Sequence, residues 1–143
     1  MIRFFTKKEE EDIINAIRKA EAKTSGEIRV HIDSKLQGDV LAEGLEIFGR
    51  LKMHETKLRN GILILIAPRD KKFAIIGDEG IHQKVGDDFW NAEKELLQTY
   101  FRSGKYREGV CEAIDRIGNK LKVFFPIQED DKNELPDEIS YGE

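Results

Sequence analysis

Residues Arg59–Trp90 read RNGILILIAPRDKKFAIIGDEGIHQKVGDDFW, and the fold follows from how this stretch divides. Ile62 to Ala67 is an unbroken apolar run rich in β-branched side chains, with Asn60-Gly61 before it and Pro68 after it, which marks a strand buried on both faces. A second run, Phe73 to Ile76, follows after Pro68 to Lys72. That interval is too short for a crossover and suits a hairpin, so the two strands are predicted to be antiparallel neighbours. With the turn centred near Asp70, Ile64 falls opposite Ile76. Arg59, Asn60, Asp78 and Glu79 then collect on one rim of the sheet, where Gly61, Gly77 and Gly80 keep the backbone open.

The flanking segments complete the architecture. Thr6-Lys7-Lys8-Glu9 has the spacing of a capping box and starts a helix that runs to about Ala22, with Ile13, Ile14, Ile17 and Ala20 on one face. From Glu27 to Asp33 the chain alternates, Ile28, Val30 and Ile32 against Glu27, Arg29, His31 and Asp33, as a strand with one apolar side does. Asp39 caps a second predicted helix through Met53. Strand, helix and strand in this order make a right-handed βαβ unit with Glu27–Asp33 parallel to Ile62–Ala67, which brings Ser25, Gly26 and Glu27 to the rim. Ile81 to Val85 reads as a short helical turn, Asp87 or Asp88 as the cap of a third helix, and Tyr106 to Phe124 as the last helix. The predicted fold is a three-layer α/β/α sandwich around a small mixed sheet, a parallel βαβ unit plus an antiparallel hairpin.

The 143 residues carry a formal charge of −4. From Pro126 onward there are seven acids against Lys132 alone, which places −6 in residues 126–143 and leaves +2 for residues 1–125. The reading is therefore a single domain over 1–125 followed by an acidic, disordered tail over 126–143. A nearly neutral domain offers no concentrated basic face, so nucleic acid is not expected as a partner. The lone Cys111 excludes an internal disulfide and a cysteine-built zinc cluster. With no apolar signal core in MIRFFTKKEEEDII and no run of membrane-span length, the expectation is a cytoplasmic protein without direct membrane insertion.

The order RNG, apolar strand, charged turn, second strand, GDEGI, then VGDDFW and YFRSGKYREGV resembles the TPM domain family from about Thr6 to Pro126. That family includes thylakoid-lumen proteins linked to photosystem repair and described as acid phosphatases. Asp78, Glu79, Asp87 and Asp88, with Asn60 brought in by the hairpin, supply the carboxylate and amide oxygens that Ca²⁺ or Mg²⁺ takes, and the resemblance implies a divalent-cation site in the same region. The competing reading makes Asp87 or Asp88 a helix cap and Asp78 and Glu79 solvated turn residues. His31 and Asp33 share a strand face as metal ligands or an acid/base pair would, but the favoured reading is a charged face kept for solubility. No serine sits in a nucleophile elbow, and Cys111 with Arg116 lacks the glycines of a phosphatase loop. Two functions stay open. One is a cation-binding domain acting as an accessory module toward another protein; the other is a metal-assisted phosphatase of low specificity, which the resemblance supplies. The sequence says nothing of oligomeric state.

Overall fold

The computed structural model describes residues 4–33, 36, 38–127 and 139–142. In chain order the elements are α1 (Lys7–Glu21), β1 (Glu27–Ile32), α2 (Val40–Arg50), β2 (Gly61–Ala67), a 3₁₀ turn (Pro68–Asp70), β3 (Lys72–Gly77), α3 (Glu79–His82), a 3₁₀ turn (Asp87–Trp90), α4 (Asn91–Arg102), α5 (Tyr106–Phe124) and β4 (Ser140–Tyr141). The sheet order is β3-β2-β1-β4, with β1 parallel to both β2 and β4, and β3 antiparallel to β2. The three-layer mixed α/β arrangement is the expected one. β2 is central, and all seven of its residues are buried.

The pleat of β2 divides the core. Ile62, Ile64 and Ile66 join Ile28, Val30 and Ile32 of β1 under α1, α4 and α5, while Leu63 and Leu65 face Ile47 and Phe48 of α2. The hairpin register is Ile64 opposite Ile75, one residue from the expected pairing with Ile76. The difference lies in the turn, where the 3₁₀ segment is closed by Lys71 in the left-handed region (φ 52°), so that Ala67 pairs directly with Lys72. A one-residue slip reverses every side chain, so the observed register is the one that puts Ile75 in the larger core and Ile76 against α2.

The capping box forms as read: Glu9 N–H donates to Thr6 Oγ1 at 3.1 Å and Thr6 N–H to Glu9 Oε1 at 2.9 Å. α2 ends at Arg50, short of Met53, because Lys52 turns left-handed (φ 59°) and Met53 N–H returns to Phe48 O at 3.0 Å, a Schellman closure without glycine. α3 starts two residues before the expected helical turn because Asp78 caps it, accepting Glu79 N–H at 2.8 Å. The third long helix opens through a 3₁₀ turn, and its first residue, Asn91, follows Trp90, which gives no side-chain cap.

The acidic segment divides in two. Residues 128–138, on which most of the expected disorder falls, lie outside the described residues. Ile139–Gly142 is described and docked: β4 pairs with β1, Gly142 N–H donates to Ile32 O at 2.7 Å, and Tyr141 OH donates to Glu10 on α1. Ile139 and Tyr141 pack on the larger core. β4 thus moves β1 from the sheet edge into its interior, with a consequence for His31.

Candidate functional site

The rim forms where the hairpin predicts it. Asp78 N–H donates to Gly61 O at 3.0 Å, and Gly80 N–H to Arg59 O at 2.9 Å. Gly80 is required here, since a Cβ would run into the Leu58 and Arg59 carbonyls. Arg59 itself is left-handed (φ 53°), a conformation that costs a side-chain-bearing residue energy and that the surrounding bonds hold. From it the guanidinium lies across Asp78, Nε to Oδ2 at 2.7 Å and NH2 to Oδ1 at 2.9 Å, and its third nitrogen faces Glu79 Oε1 at 3.2 Å. The hydrogen bond to Asp78 raises the Arg59 pKa above its ordinary value. Asp78 is buried and Arg59 is 41 % exposed, so the bidentate pair closes the sheet end from the solvent side.

Asn60, 1 % exposed, lies beneath. Its N–H donates to Thr56 Oγ1 at 3.2 Å, its Nδ2 to Ser25 Oγ at 3.3 Å, and its carbonyl accepts Glu27 N–H at 3.3 Å, tying β2 to the start of β1. Its Oδ1 is buried with no hydrogen-bond partner among the described residues. Asp88 is turned away on the surface, accepting from Asn91 Nδ2 at 3.0 Å. The Asp87 side chain lies outside the described set. The structure therefore joins Asp78 and Glu79 through Arg59, puts Asn60 at the same end of the sheet, and leaves Asp88 on the next turn. Among the described residues no three His, Cys, Asp or Glu side chains are grouped to hold a metal. With Arg59 in place the rim does not fit a cation, because Asp78 already accepts from two guanidinium N–H groups and one amide.

His31 and Asp33 are not a solvated face. His31 is 4 % exposed, enclosed between β2 and β4. Its Nδ1 lies 2.7 Å from Ser140 Oγ, and its Nε2 faces Asp33 Oδ2 at 3.5 Å. Burial holds the imidazole below its ordinary pKa; Asp33 pulls it up, and Arg50 and Arg29 add to the depression. Ser, His and Asp in a row evoke a hydrolase, but Ser140 also donates to Val30 O at 3.3 Å, and the imidazole is sealed from solvent. The group fastens β4.

A further buried acid escaped sequence reading. Glu93 is 0 % exposed, held by Lys120 Nζ at 2.9 Å and Arg116 Nε at 3.4 Å; Lys120 also donates to Phe89 O at 3.0 Å. Its signal was a charge three residues after Trp90 and four before Leu97, within the apolar stripe. Cys111 is a packed thiol, its pKa pushed up to about 11 by burial.

Fold and rim define a small α/β/α domain whose sheet end is closed by an arginine–carboxylate cap. The sequence model of the TPM domain matches residues 2–120, and the chain belongs to that family. It is similar to the BA42 protein of the psychrophilic bacterium Bizionia argentinensis, known from an NMR structure: 44 % identity, TM-score 0.94, covering 99 % of this chain and 98 % of that one. The N-terminal domain of the cg2496 protein of Corynebacterium glutamicum shares the fold at 13 % identity, with a TM-score of 0.67 over 98 % of this chain and 81 % of that one. No curated protein matches. Among the described residues no helix is long and apolar enough to cross a membrane.

Proposed function

We propose that this TPM domain is a cation-responsive accessory module that binds another protein, and that Arg59 is the resident counter-charge which Ca²⁺ or Mg²⁺ replaces at the rim. The observation that carries the reading is the Arg59 guanidinium, two-fifths exposed, spanning Asp78 and Glu79 from a left-handed backbone. Swinging out one long side chain would free hard oxygen donors on Asp78 and Glu79, at the same end of the sheet as a buried Asn60 Oδ1 that has no hydrogen-bond partner among the described residues. Apolar side chains exposed on α2, Leu41 and Leu45, and around the end of α5, Val123 and Ile127, support a binding role over a hydrolytic one. So does the sealed position of His31.

The test compares melting curves in chelator, Ca²⁺ and Mg²⁺ for the wild type and Arg59→Gln, alongside turnover of a generic phosphate ester by the same preparations. A cation bound to the native state alone raises the melting temperature by mass action, and removing the competing guanidinium should enlarge that rise. Identical curves for both proteins in all three conditions would overturn the cation reading. Turnover that survives purification and is lost in Asp78→Asn would favour the phosphatase.

A further inference from the structure

At the opposite end of the sheet from the rim, the β2–β3 turn and the junction of α4 and α5 enclose a cavity of about 200 Å³. One wall is aromatic: Phe73 and Phe101 meet edge to face with centroids 5.5 Å apart, and Phe101 meets Tyr106 at a 49° tilt with centroids 4.9 Å apart. The charge at the mouth is all basic. Lys71, Lys72 and Arg102 all line it, no acid does, and none of the three forms an ion pair among the described residues. The one carboxylate of the turn, Asp70, is committed elsewhere, accepting Leu36 N–H at 2.8 Å. Cations left unpaired around an apolar pocket, in a chain whose net charge is −4, form a local field of the opposite sign to the whole.

We propose that this cavity binds a small organic anion with an apolar body, a single aryl ring or short alkyl chain bearing one carboxylate or phosphate. The volume sets the body: an apolar cavity of about 150 Å³ admits benzene, so this one takes one ring and leaves the charged group at the mouth. The aromatic wall supplies edge contacts to a ring. Arg102 offers a planar fork that pairs with either oxyanion, and Lys71 and Lys72 add point charge from the turn. This inference is independent of the rim, which lies at the other end of β2.

The experiment is an amide NMR titration of the full chain with phenylacetate and, separately, phenylphosphonate, with benzyl alcohol as the neutral analogue and inorganic phosphate as the anion without a body. For ligands of about ten non-hydrogen atoms, millimolar affinity is expected, with shifts centred on Phe73, Phe101 and Arg102. Benzyl alcohol and inorganic phosphate should each bind more weakly. The two aryl anions together decide which oxyanion is preferred. The exposed-site variant Lys72→Gln/Arg102→Gln should weaken the aryl anions by roughly tenfold while leaving benzyl alcohol unchanged, and added salt should do the same. Equal binding of phenylacetate and benzyl alcohol, an unaffected double variant, or shifts centred away from this cavity would each overturn the proposal.

Discussion

Replacing Lys120 by Met tests how the buried Glu93 is held. Methionine keeps most of the aliphatic stem and removes the ammonium that bonds Glu93 Oε2 at 2.9 Å and Phe89 O at 3.0 Å. Glu93 is 0 % exposed, so its carboxylate would be left with Arg116 Nε at 3.4 Å as its remaining counter-charge. Breaking a buried pair from one side costs about 3 to 5 kcal/mol. Lys120 is 34 % exposed, so part of its charge already acts through water, and Arg116 stays, which brings the expected loss to about 2 kcal/mol. For a domain of this length that is a fall in melting temperature of roughly 6 to 8 °C. Urea denaturation at neutral pH reads it as a lower midpoint with an unchanged slope. Adding Glu93→Met to the Lys120→Met chain should recover much of the loss, since the stranded charge is gone and only hydrophobic volume remains. A single variant as stable as the wild type, or a double variant worse than the two single losses added, would refute the reasoning.

Ile64→Ala, at the centre of β2, should cost about 2 to 4 kcal/mol, whereas Leu45→Ala on the exposed face of α2 should stay within about 0.5 kcal/mol; the same denaturation midpoints check both. Tyr141→Ala should cost about 1 to 2 kcal/mol by removing a half-buried ring and its bond to Glu10, and an unshifted midpoint would mean that β4 contributes nothing. His31 gives a pH signature. Because burial depresses its folded pKa, the unfolded chain binds the proton first. Stability should therefore fall as pH drops through about 6.5 toward the folded value, no more steeply than about 1.4 kcal/mol per pH unit. His31→Gln should remove that component, seen as a wild-type-minus-variant difference in unfolding free energy that falls as pH drops from neutral to mildly acidic.

The hairpin, the βαβ unit and the rim were legible because each rests on local signals: an apolar run ended by Pro68, a gap too short for a crossover, and a capping box at Thr6. The register of β3 escaped by one residue because it depends on Lys71 adopting a left-handed conformation, which nothing in PRDKK announces. β4 was hidden for a different reason. Ile139-Ser140-Tyr141 has too little apolar surface to stand out beside an acid-rich segment, and it is held by non-local contacts, with β1, with Glu10 of α1 and with the larger core. That pairing also buried His31, so a strand face that alternates as a solvated one became interior. At the rim, the hairpin pattern brought Asp78 and Glu79 to the same sheet end as Asn60, but composition could not show that Arg59, next to Asn60 in sequence, turns onto Asp78, or that Asp88 is used on the surface by Asn91.

The central claim, that Arg59 holds the rim until a divalent cation replaces it, is tested most directly by following the Arg59 Nε–H resonance during a Ca²⁺ titration. In chelator that proton should be protected and displaced from the free-guanidinium position by its bond to Asp78 Oδ2 at 2.7 Å. As Ca²⁺ is added, it should move to the solvated position and exchange rapidly, while the Asn60 side-chain amide shifts in step. An Nε–H signal that stays protected at saturating Ca²⁺, with changes confined to the acidic residues beyond Ile127, would contradict the account.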